Sequence, residues 1–546
     1  MAFEGKVAKL ADDIKNILDC FPKIWNVYFI CSITTAAGFM FGFDITSIST
    51  FIGTNQYRRY FNNPGSTAQG IITFFMALGS FFGSLISSFV SEPFGRRTSL
   101  FLSSFFWMVG AAIQSSSQNR VQLTIGRFIA GIGVGFGSTV APVYGSELAP
   151  RKIRGLIGGM FQFFVYLGQL VMFCICYGLH FINGVASFRI AWALQILFGL
   201  FLFIGIFFVP ESPRWLAKND YWDESEEVVA KIQAHGDTTN EDVIVEMSEI
   251  KEQVLVDEAS EVVTYAALFN KKYRARTITA LFAQIWQQLT GINVMMYYIV
   301  YIFEMAGYTG NTNLVASLIQ YILATVLTFI SLFTLDIFGR RFLLLLGAAL
   351  MFVFEFGLAG ILAAHSNPVS SVDGNTTIRI EIPSSDKGAA RGAIAMCYLY
   401  VCSFAISWGV CIWVYCSEVW GSNAIRQRGA ALSTSADWIF NFAIGMYTPS
   451  SFENITWKNY CIYGVFCACM FVHVYFFFPE TRGRRLEEVA QIWDDHIPVW
   501  KTASWEPSVP VVNEDDASEK KDEASFVENV SATGADVADE EQADAV

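Results

Sequence analysis

The chain has few charged residues for its length. Lys, Arg, Asp and Glu make up 16% of its 546 residues, whereas an average soluble domain has about 25%. No concentrated basic patch occurs, so nucleic-acid binding is not expected. The 11 cysteines are scattered, and no second Cys/His pair joins Cys174 and Cys176, so we expect buried thiols and no metal ion. The sequence also lacks a nucleophile–base set and a phosphate-binding loop, which argues against an enzyme and against a cofactor.

Apolar residues are abundant and grouped in long runs. They make up 53% of the chain. A helix needs about 20 apolar residues to cross a bilayer, and the runs of suitable length predict membrane spans. In chain order, the predicted spans 1 to 12 are residues 27–52, 69–91, 99–118, 123–145, 156–180, 189–209, 277–304, 312–335, 342–364, 390–417, 430–450 and 457–478.

These runs predict an all-α polytopic membrane protein with 12 transmembrane helices in two six-helix halves. The predicted domains are a cytosolic N-terminal segment 1–26, an N-terminal half 27–210, a cytosolic helical linker 211–276, a C-terminal half 277–478, and a cytosolic, acidic, disordered tail 479–546.

Lys and Arg lie mainly after even-numbered spans or before odd-numbered ones. Examples are "GRR" at 95–97, "KKYRAR" at 271–276 and "GRR" at 339–341. Because cytosolic loops carry the excess of Lys and Arg, both termini and the linker are expected in the cytosol. The long segment after span 9 is then external, and its sequon makes Asn375 a glycosylation candidate.

Sequence motifs recur six spans apart. "EPFGRRTSLFL" follows span 2 and "DIFGRRFLLLL" follows span 8, while "PESPRWL" follows span 6 and "PETRGRRLEE" follows span 12. "GSELAPRKIRG" and "CSEVWGSNAIRQRG" likewise follow spans 4 and 10. This recurrence indicates a duplication. Parallel duplicated halves place a binding site at their interface, and rocking of the halves gives alternating access.

The repeated motifs pair arginines with carboxylates on the cytosolic side. Bidentate Arg–carboxylate pairs hold a fixed geometry, so these residues are candidates for a latch that closes this side in one state of the cycle. The alternative is that the arginines are only topology signals beside lipid headgroups. The latch candidates are Arg96, Arg97, Glu147, Arg154, Glu211, Arg214, Arg340, Arg341, Glu418, Arg426 and Glu480.

Span 1 contains an acidic residue, Asp44, near its middle. An ionised, unpaired carboxylate at this depth costs several kcal/mol. Arg127 in span 4 is a candidate partner. We expect Gly131, Gly133 and Gly135 to let span 4 pack tightly against span 1.

Taken together, the motifs resemble the sugar porter family of the major facilitator superfamily, over residues 25 to 490. The similarity rests on "GRFIAGIGVGFGSTVAPVYGSELAPRKIRG", "PESPRWL", "QQLTGINVMMYY" and "PETRGRRLEE". The segments "GFMFGFDI" and "VMMYYIVYIFEMAGYTGNTNLVAS" are most similar to the yeast glucose/xylose–proton symporters of that family. The resemblance implies a fold of two six-helix halves and the coupled transport of a sugar and a proton.

The resemblance also implies roles for individual residues. A sugar is a neutral ring of hydroxyls, which suits amides that donate and accept and aromatic faces that cover its C–H surfaces. A lone buried Gln can also bridge helices without any substrate. The implied gate is Tyr297 and Tyr298, and the implied proton-coupling pair is Asp44 and Arg127. The implied sugar-binding residues are Gln162, Gln287, Gln288, Asn293, Trp413 and Trp438.

Several positions depart from the family pattern, including Glu92 and Pro93 after span 2, where Asp-Arg is usual, and a missing proline after Glu418. Ala324 stands where span 8 usually has an amide, and Val410 replaces a proline in span 10. Asp437 stands where an amide usually precedes the span 11 tryptophan, and it is a further candidate for substrate binding or protonation. Glucose and xylose are the expected substrates, but these departures leave galactose, a polyol or a disaccharide open.

The expected function is proton-coupled uptake of a monosaccharide at the plasma membrane. A facilitative uniporter and a sugar sensor with a carrier fold remain alternatives, because Asp44 alone does not establish coupling. The tail after Pro498 is short for a dedicated sensor. Its lysines Lys520 and Lys521 suggest a ubiquitin-linked trafficking role.

Overall fold

The structure is a computed structural model that describes residues 2–52, 54–62, 64–150, 153–182, 184–258, 264–308, 310–372, 377–420, 423–484 and 486–505. The chain divides into two units, Met1–Ala503 and Ser504–Val546. Of the second unit, only Ser504 and Trp505 are described. Helices dominate the first unit, as the apolar runs predict.

The N-terminal helices follow the predicted spans 1 to 6, after an amphipathic first helix. They are α1 Ala2–Asp19, α2 Val27–Ile52, α3 Asn55–Tyr60, α4 Ser66–Ser115, α5 Arg120–Leu148, α6 Arg154–His180 and α7 Ala186–Gly205. Helix α4 holds spans 2 and 3. Its backbone turns at Gly95, where φ is 87° and ψ is 172°.

The linker forms short helices over a small apolar cluster of its own. The helices are α8 Pro213–Lys218, α9 Trp222–Gln233 and α10 Glu241–Glu258. Ser212 caps α8 by accepting a hydrogen bond from the backbone N–H of Trp215. Ala217, Val229, Val243, Met247 and Ile250 form the cluster between them. The predicted helical linker is therefore a folded layer.

The C-terminal helices follow spans 7 to 12, with spans 7 and 10 interrupted. They are α11 Arg274–Leu289, α12 Ile292–Tyr297, α13 Ile299–Met305, α14 Gly310–Phe338, α15 Arg340–His365, α16 Lys387–Ile406, α17 Trp408–Glu418, α18 Asn423–Asn454, α19 Lys458–Phe477 and α20 Leu486–Asp494. Of these, α20 lies beyond the last span.

Nine helical segments in the described part of the chain are long and apolar enough to cross a membrane. One of them, in α4, contains two predicted spans, so the nine segments account for every predicted span except 7 and 11. Span 7 is broken into three short helices, and span 11 carries buried polar residues. These residues are Ser433, Thr434, Ser435, Asp437 and Asn441. The predominantly helical fold predicted from the sequence is confirmed.

Span 7 breaks at Gly291, which has φ 89° and ψ 8°. Glycine adopts this left-handed conformation without the steric penalty that a Cβ brings. A Cβ added there would also lie 2.8 Å from the ring of Tyr463. Span 10 breaks at Ser407, three residues before Val410. Both interruptions lie beside the residues expected to bind substrate.

The glycines of α5 pack against α4, so the expectation that Gly131, Gly133 and Gly135 face span 1 is wrong. A Cβ added to Gly131 or Gly135 would lie 2.1 Å or 2.2 Å from the backbone oxygens of Met76 and Ser80. Successive glycines two residues apart alternate between helix faces, and Gly137 is the one that approaches α2, at Ala37.

The segment between α15 and α16 forms a small hairpin over the end of span 7. Strands β1 Asn367–Pro368 and β2 Ile380–Glu381 are antiparallel. The backbone N–H of Ile382 donates to the Met305 carbonyl at 2.9 Å. Asn375, the glycosylation candidate, lies outside the described residues.

Candidate functional site

Three polar side chains from spans 7 and 11 form a connected group. Gln288 donates from Nε2 to Oδ1 of Asp437 at 2.5 Å, and Asn293 donates to the Oε1 atom of Gln288. All three are buried. Asn293 lies beyond the break at Gly291, which removes the helical twist that would otherwise turn it away from Gln288. Gln287 donates instead to the Trp408 carbonyl, at 3.0 Å.

Two tryptophans join the C-terminal helices to the N-terminal ones. Trp413 of α17 donates from Nε1 to Oε1 of Gln162 at 2.9 Å. Trp438 of α18 donates from Nε1 to Oγ of Ser138 at 3.1 Å. Because each bond crosses between the two sets of six helices, the site lies at their interface. The rings of Phe161 and Phe41 pack at 4.8 Å from Trp413 and Trp438, respectively.

Tyr297 and Tyr298 lie against Phe74 of α4. The ring centroids are 4.7 Å and 6.2 Å from that of Phe74. One helical turn further, Gln69 donates from Nε2 to the hydroxyl of Tyr301 at 3.1 Å. These contacts also join the two sets of helices, and the tyrosines are buried. They close one end of the site.

Asp44 and Arg127 form a buried ion pair. Nη2 of Arg127 lies 3.0 Å from Oδ2 of Asp44, and Nη1 donates to Oδ1 at 3.2 Å. Nη2 also donates to the Thr73 carbonyl at 2.7 Å. Both side chains have no exposed surface. Tyr297 lies near enough to interact electrostatically with both partners, which brings the pair close to the tyrosines of span 7.

The opposite end of the site carries the Gly-Arg-Arg turns, and we call it the basic face. Arg96 forms a bidentate pair with Glu147, at 2.9 Å from Nε and 2.7 Å from Nη2. Glu211 accepts backbone N–H groups of Arg96 and Arg97 at 3.0 Å and 3.2 Å. Ser212 donates to Glu147 at 2.5 Å. Glu211 therefore caps the helix that restarts after Gly95.

The C-terminal helices repeat this cluster. Glu480 accepts the backbone N–H groups of Arg340 and Arg341, both at 3.0 Å. Arg340 donates to Glu418 at 2.9 Å, and Thr481 donates to Glu418 at 2.7 Å. The turn is again a glycine, here Gly339, with φ 87° and ψ 157°. The duplication indicated by the motifs extends to individual hydrogen bonds.

Other latch candidates face different partners. Arg97 donates to Asp19 of α1 at 2.6 Å, and Arg341 donates to the Tyr475 carbonyl at 2.7 Å. Arg214 lies 3.7 Å from Glu246 of the linker. Arg426 lines a small cavity on the basic face together with Glu92, Arg96, Glu147 and Arg214. The side chain of Arg154 lies outside the described part of the structure.

Two carboxyls outside the spans differ in their electrostatic surroundings. Burial raises the pKa of Glu211 despite the opposing charges of Arg97 and Arg96. Burial opposes ionisation of Asp19 too, but the hydrogen bond and charge of Arg97 hold the pKa of Asp19 below its ordinary value. The Asp19–Arg97 pair thus attaches α1 to the basic face.

The basic face also contains an ion pair between the two sets of helices. Nη2 of Arg428 donates to Oε2 of Glu92 at 2.5 Å. Sequence reasoning did not pair these two residues. The Arg428–Glu92 pair bridges the two sets of helices, and Arg426 of the C-terminal set also acts electrostatically on Glu147 of the N-terminal set.

Sequence reasoning missed two further polar residues. Gln320 in span 8 lies one turn before Ala324 and donates to the Met295 carbonyl at 3.1 Å, so it supplies an amide near the position where Ala324 lacks one. Glu355 is buried in span 9. A carboxylate inside an apolar run is the signal that identified Asp44, and the same signal marks Glu355.

The comparisons with known proteins agree with this geometry. The family model "Sugar (and other) transporter" matches residues 30–493. High-affinity glucose transporter 1 of Candida albicans is 64% identical over 518 residues, covering 95% of this chain and 94% of the relative. The high-affinity glucose transporter of Kluyveromyces lactis is 52% identical over 499 residues, covering 91% and 90%.

Solved structures give the same result. The proton:xylose symporter XylE bound to 6-bromo-6-deoxy-D-glucose matches with a TM-score of 0.71 at 25% identity, covering 86% of this chain and 99% of that one. The inward open conformation of XylE from E. coli matches with a TM-score of 0.64 at 25% identity, covering 86% and 100%.

Proposed function

Because the chain belongs to the sugar (and other) transporter family, we propose that it takes up monosaccharides, glucose and/or xylose, across the plasma membrane. Family membership makes it a multi-pass membrane transporter and not an enzyme. The two relatives described above are named as glucose transporters, and XylE as a proton:xylose symporter, which supports these substrates. The observation that carries the proposal is the buried amide group at the interface between the halves.

In this proposal the polar groups of the site exchange partners with the sugar. Gln288, Asn293 and Asp437 satisfy one another in the structure. Sugar hydroxyls both donate and accept, so they replace these partners without leaving a buried group unsatisfied. Gln162 and Trp413 are proposed to do the same from opposite halves. Gln287 and Trp438 complete the site, and Tyr297 and Tyr298 form its outer gate.

Alternating access is proposed to use the two halves, 27–210 and 277–478, as moving bodies. The segments 1–26, 211–276 and 479–546 are assigned to the cytosol, as the positive-inside rule predicts. The Arg–Glu clusters are proposed to form, with the contacts between the halves, the cytosolic latch that closes this face when the carrier opens outward. The Arg428–Glu92 pair breaks when the carrier opens inward, and the contacts of Phe74 break when it opens outward.

The proposed coupling group is the Asp44–Arg127 pair. Protonation of Asp44 removes its charge, so it releases Arg127 and alters the surroundings of Tyr297 at the gate. Sugar loading and proton loading would thereby favour each other, and accumulation against a gradient would follow. The alternative of a uniporter predicts the same ion pair but no movement of protons.

Two measurements test the proposal. Labelled glucose uptake into vesicles, with a panel of unlabelled sugars as competitors, identifies the substrate and separates a carrier from a sensor. Sugar addition to unbuffered cells should make the medium more alkaline, and Asp44→Asn should abolish that signal. If accumulation survives unchanged in Asp44→Asn, the proton-coupling role is wrong although the carrier role stands.

The acidic tail is proposed to serve ubiquitin-linked trafficking through Lys520 and Lys521, which lie outside the described residues. Replacing both lysines with arginine keeps the charge but removes the attachment sites. The expected result is slower removal of the transporter from the cell surface. Unchanged surface lifetime in the double variant would contradict the role.

A further inference from the structure

Glu355 is a buried carboxyl group that no part of the proposed cycle uses. It lies in α15, has 1% of its surface exposed, and neither of its oxygens has a hydrogen-bond partner among the described residues. An ionised carboxylate left unpaired in a membrane interior costs several kcal/mol. Asp44 avoids this cost through two contacts with Arg127. Glu355 has no such partner.

The titratable groups around Glu355 in the described part of the chain are all uncharged at neutral pH. Helix α15 packs against α16 and α19. No charged group in the described part of the chain acts electrostatically on Glu355. The titratable groups that sense its charge, on α16, α18 and α19, are Cys397, Tyr400, Tyr447, Tyr460, Cys461, Tyr463 and Cys467. In these surroundings nothing offsets the cost of an ionised carboxylate.

Two of these neighbours hold the break in span 7. The hydroxyl of Tyr400 donates to the Thr290 carbonyl at 2.7 Å, next to Gly291. The ring of Tyr463 packs on Gly291 itself, where an added Cβ would lie 2.8 Å away. The break sets the position of Asn293 relative to Gln288. Glu355 therefore lies behind the backbone segment that shapes the sugar site.

We propose that Glu355 is a second proton-binding site of the carrier, and that sugar binds tightly only while Glu355 is protonated. Loss of the proton creates a carboxylate without a partner, in surroundings that include the hydroxyls of Tyr400 and Tyr460. Of these two, Tyr400 is the one whose hydroxyl holds the Thr290 carbonyl. When that hydroxyl turns to Glu355, the Thr290 carbonyl loses its partner and the break at Gly291 relaxes. This inference rests on the proposed sugar transport, and it concerns a residue distinct from the Asp44–Arg127 pair.

Infrared spectroscopy tests the protonation state without any sugar. The full-length purified carrier at neutral pH should show a carboxylic acid C=O stretching band that is lost in Glu355→Gln. The same band should persist in Glu252→Gln, a control for an exposed carboxylate on α10. If the wild-type and Glu355→Gln spectra are identical in this region, Glu355 is ionised and the proposal is wrong.

The affinity for sugar tests the consequence. If one proton is required, the apparent Kd of labelled glucose rises about tenfold per pH unit above the pKa of the site, since the competent fraction falls by that factor. Glu355→Gln fixes the neutral form and should remove this rise. Tyr400→Phe removes the hydroxyl and should bind weakly at every pH. A Glu355→Gln variant with the wild-type pH profile would overturn the proposal.

The two tests also separate this inference from the proposed function. Absence of sugar binding in the wild type at every pH would refute monosaccharide transport, whereas the infrared band would still report on Glu355. Binding with no difference between wild type and Glu355→Gln would refute only the present inference. Glu355→Asp keeps an acid at the position and should retain the pH dependence.

Discussion

Replacing Gly95 or Gly339 with alanine should destabilise the carrier by a similar amount in each half. At both positions φ is 87° and ψ is extended, a region that is almost restricted to glycine. A Cβ at Gly95 would lie 2.4 Å from Oε2 of Glu211, and one at Gly339 would lie 2.7 Å from Oε2 of Glu480. Each substitution thus strains the backbone and displaces the carboxylate that caps the following helix.

The size of the effect follows from these two terms. Backbone strain of this kind costs about 1–3 kcal/mol, and losing one charge-assisted hydrogen bond costs about 1.5–3 kcal/mol. We therefore expect each variant to lose about 2.5–6 kcal/mol of stability. The two losses should match, because Glu211 and Glu480 accept equivalent backbone N–H groups.

Thermal unfolding of the detergent-solubilised carrier measures the loss. Gly360→Ala is the matched control, because Gly360 is helical and an added Cβ meets nothing within 4 Å. It should be neutral or slightly stabilising, since alanine favours a helix over glycine by about 0.5–1 kcal/mol. Wild-type stability in Gly95→Ala and Gly339→Ala would refute the capping role of the two glutamates.

Three further predictions concern the transport cycle. Arg428→Glu should impair uptake by breaking the contact between halves, and adding Glu92→Arg should restore part of it; no rescue in the swapped pair would mean that the contact does not act in the cycle. Gln288→Ala should raise the KM for glucose by about 10-fold or more, because it leaves the carboxylate of Asp437 without its donor; unchanged uptake kinetics would place the sugar elsewhere. Asp44→Asn should abolish accumulation but retain sugar exchange across the membrane. Loss of both would point to misfolding, which size-exclusion chromatography of the variant would reveal as aggregation.

The apolar runs of the sequence were sufficient to predict the helices but not which helices pack against each other. A run of about 20 apolar residues identifies a span by itself. The direction in which a helix packs depends on its neighbours, which is why the α5 glycines face Met76 and Ser80 of α4 instead of span 1. The repeated motifs predicted contacts more successfully, because in both halves the Gly-Arg-Arg turn donates to a carboxylate at the same relative position.

In the candidate site, too, the sequence predicted the residues but not the partners that they contact. The residues in "QQLTGINVMMYY" were identified by their type and order, whereas the break at Gly291 is described from the structure. The partners Ser138 of Trp438 and Phe74 of Tyr297 come from other helices far along the chain, so no local pattern points to them. Glu355 is different, since its signal was present in the apolar run of span 9.

The most direct test of the account is exchange of labelled glucose by liposomes that contain only the purified full-length chain. We predict rapid exchange that unlabelled glucose or xylose inhibits, and accumulation inside when a proton gradient is directed inward. The account would be contradicted if these liposomes exchanged no monosaccharide at any pH while the chain remained folded.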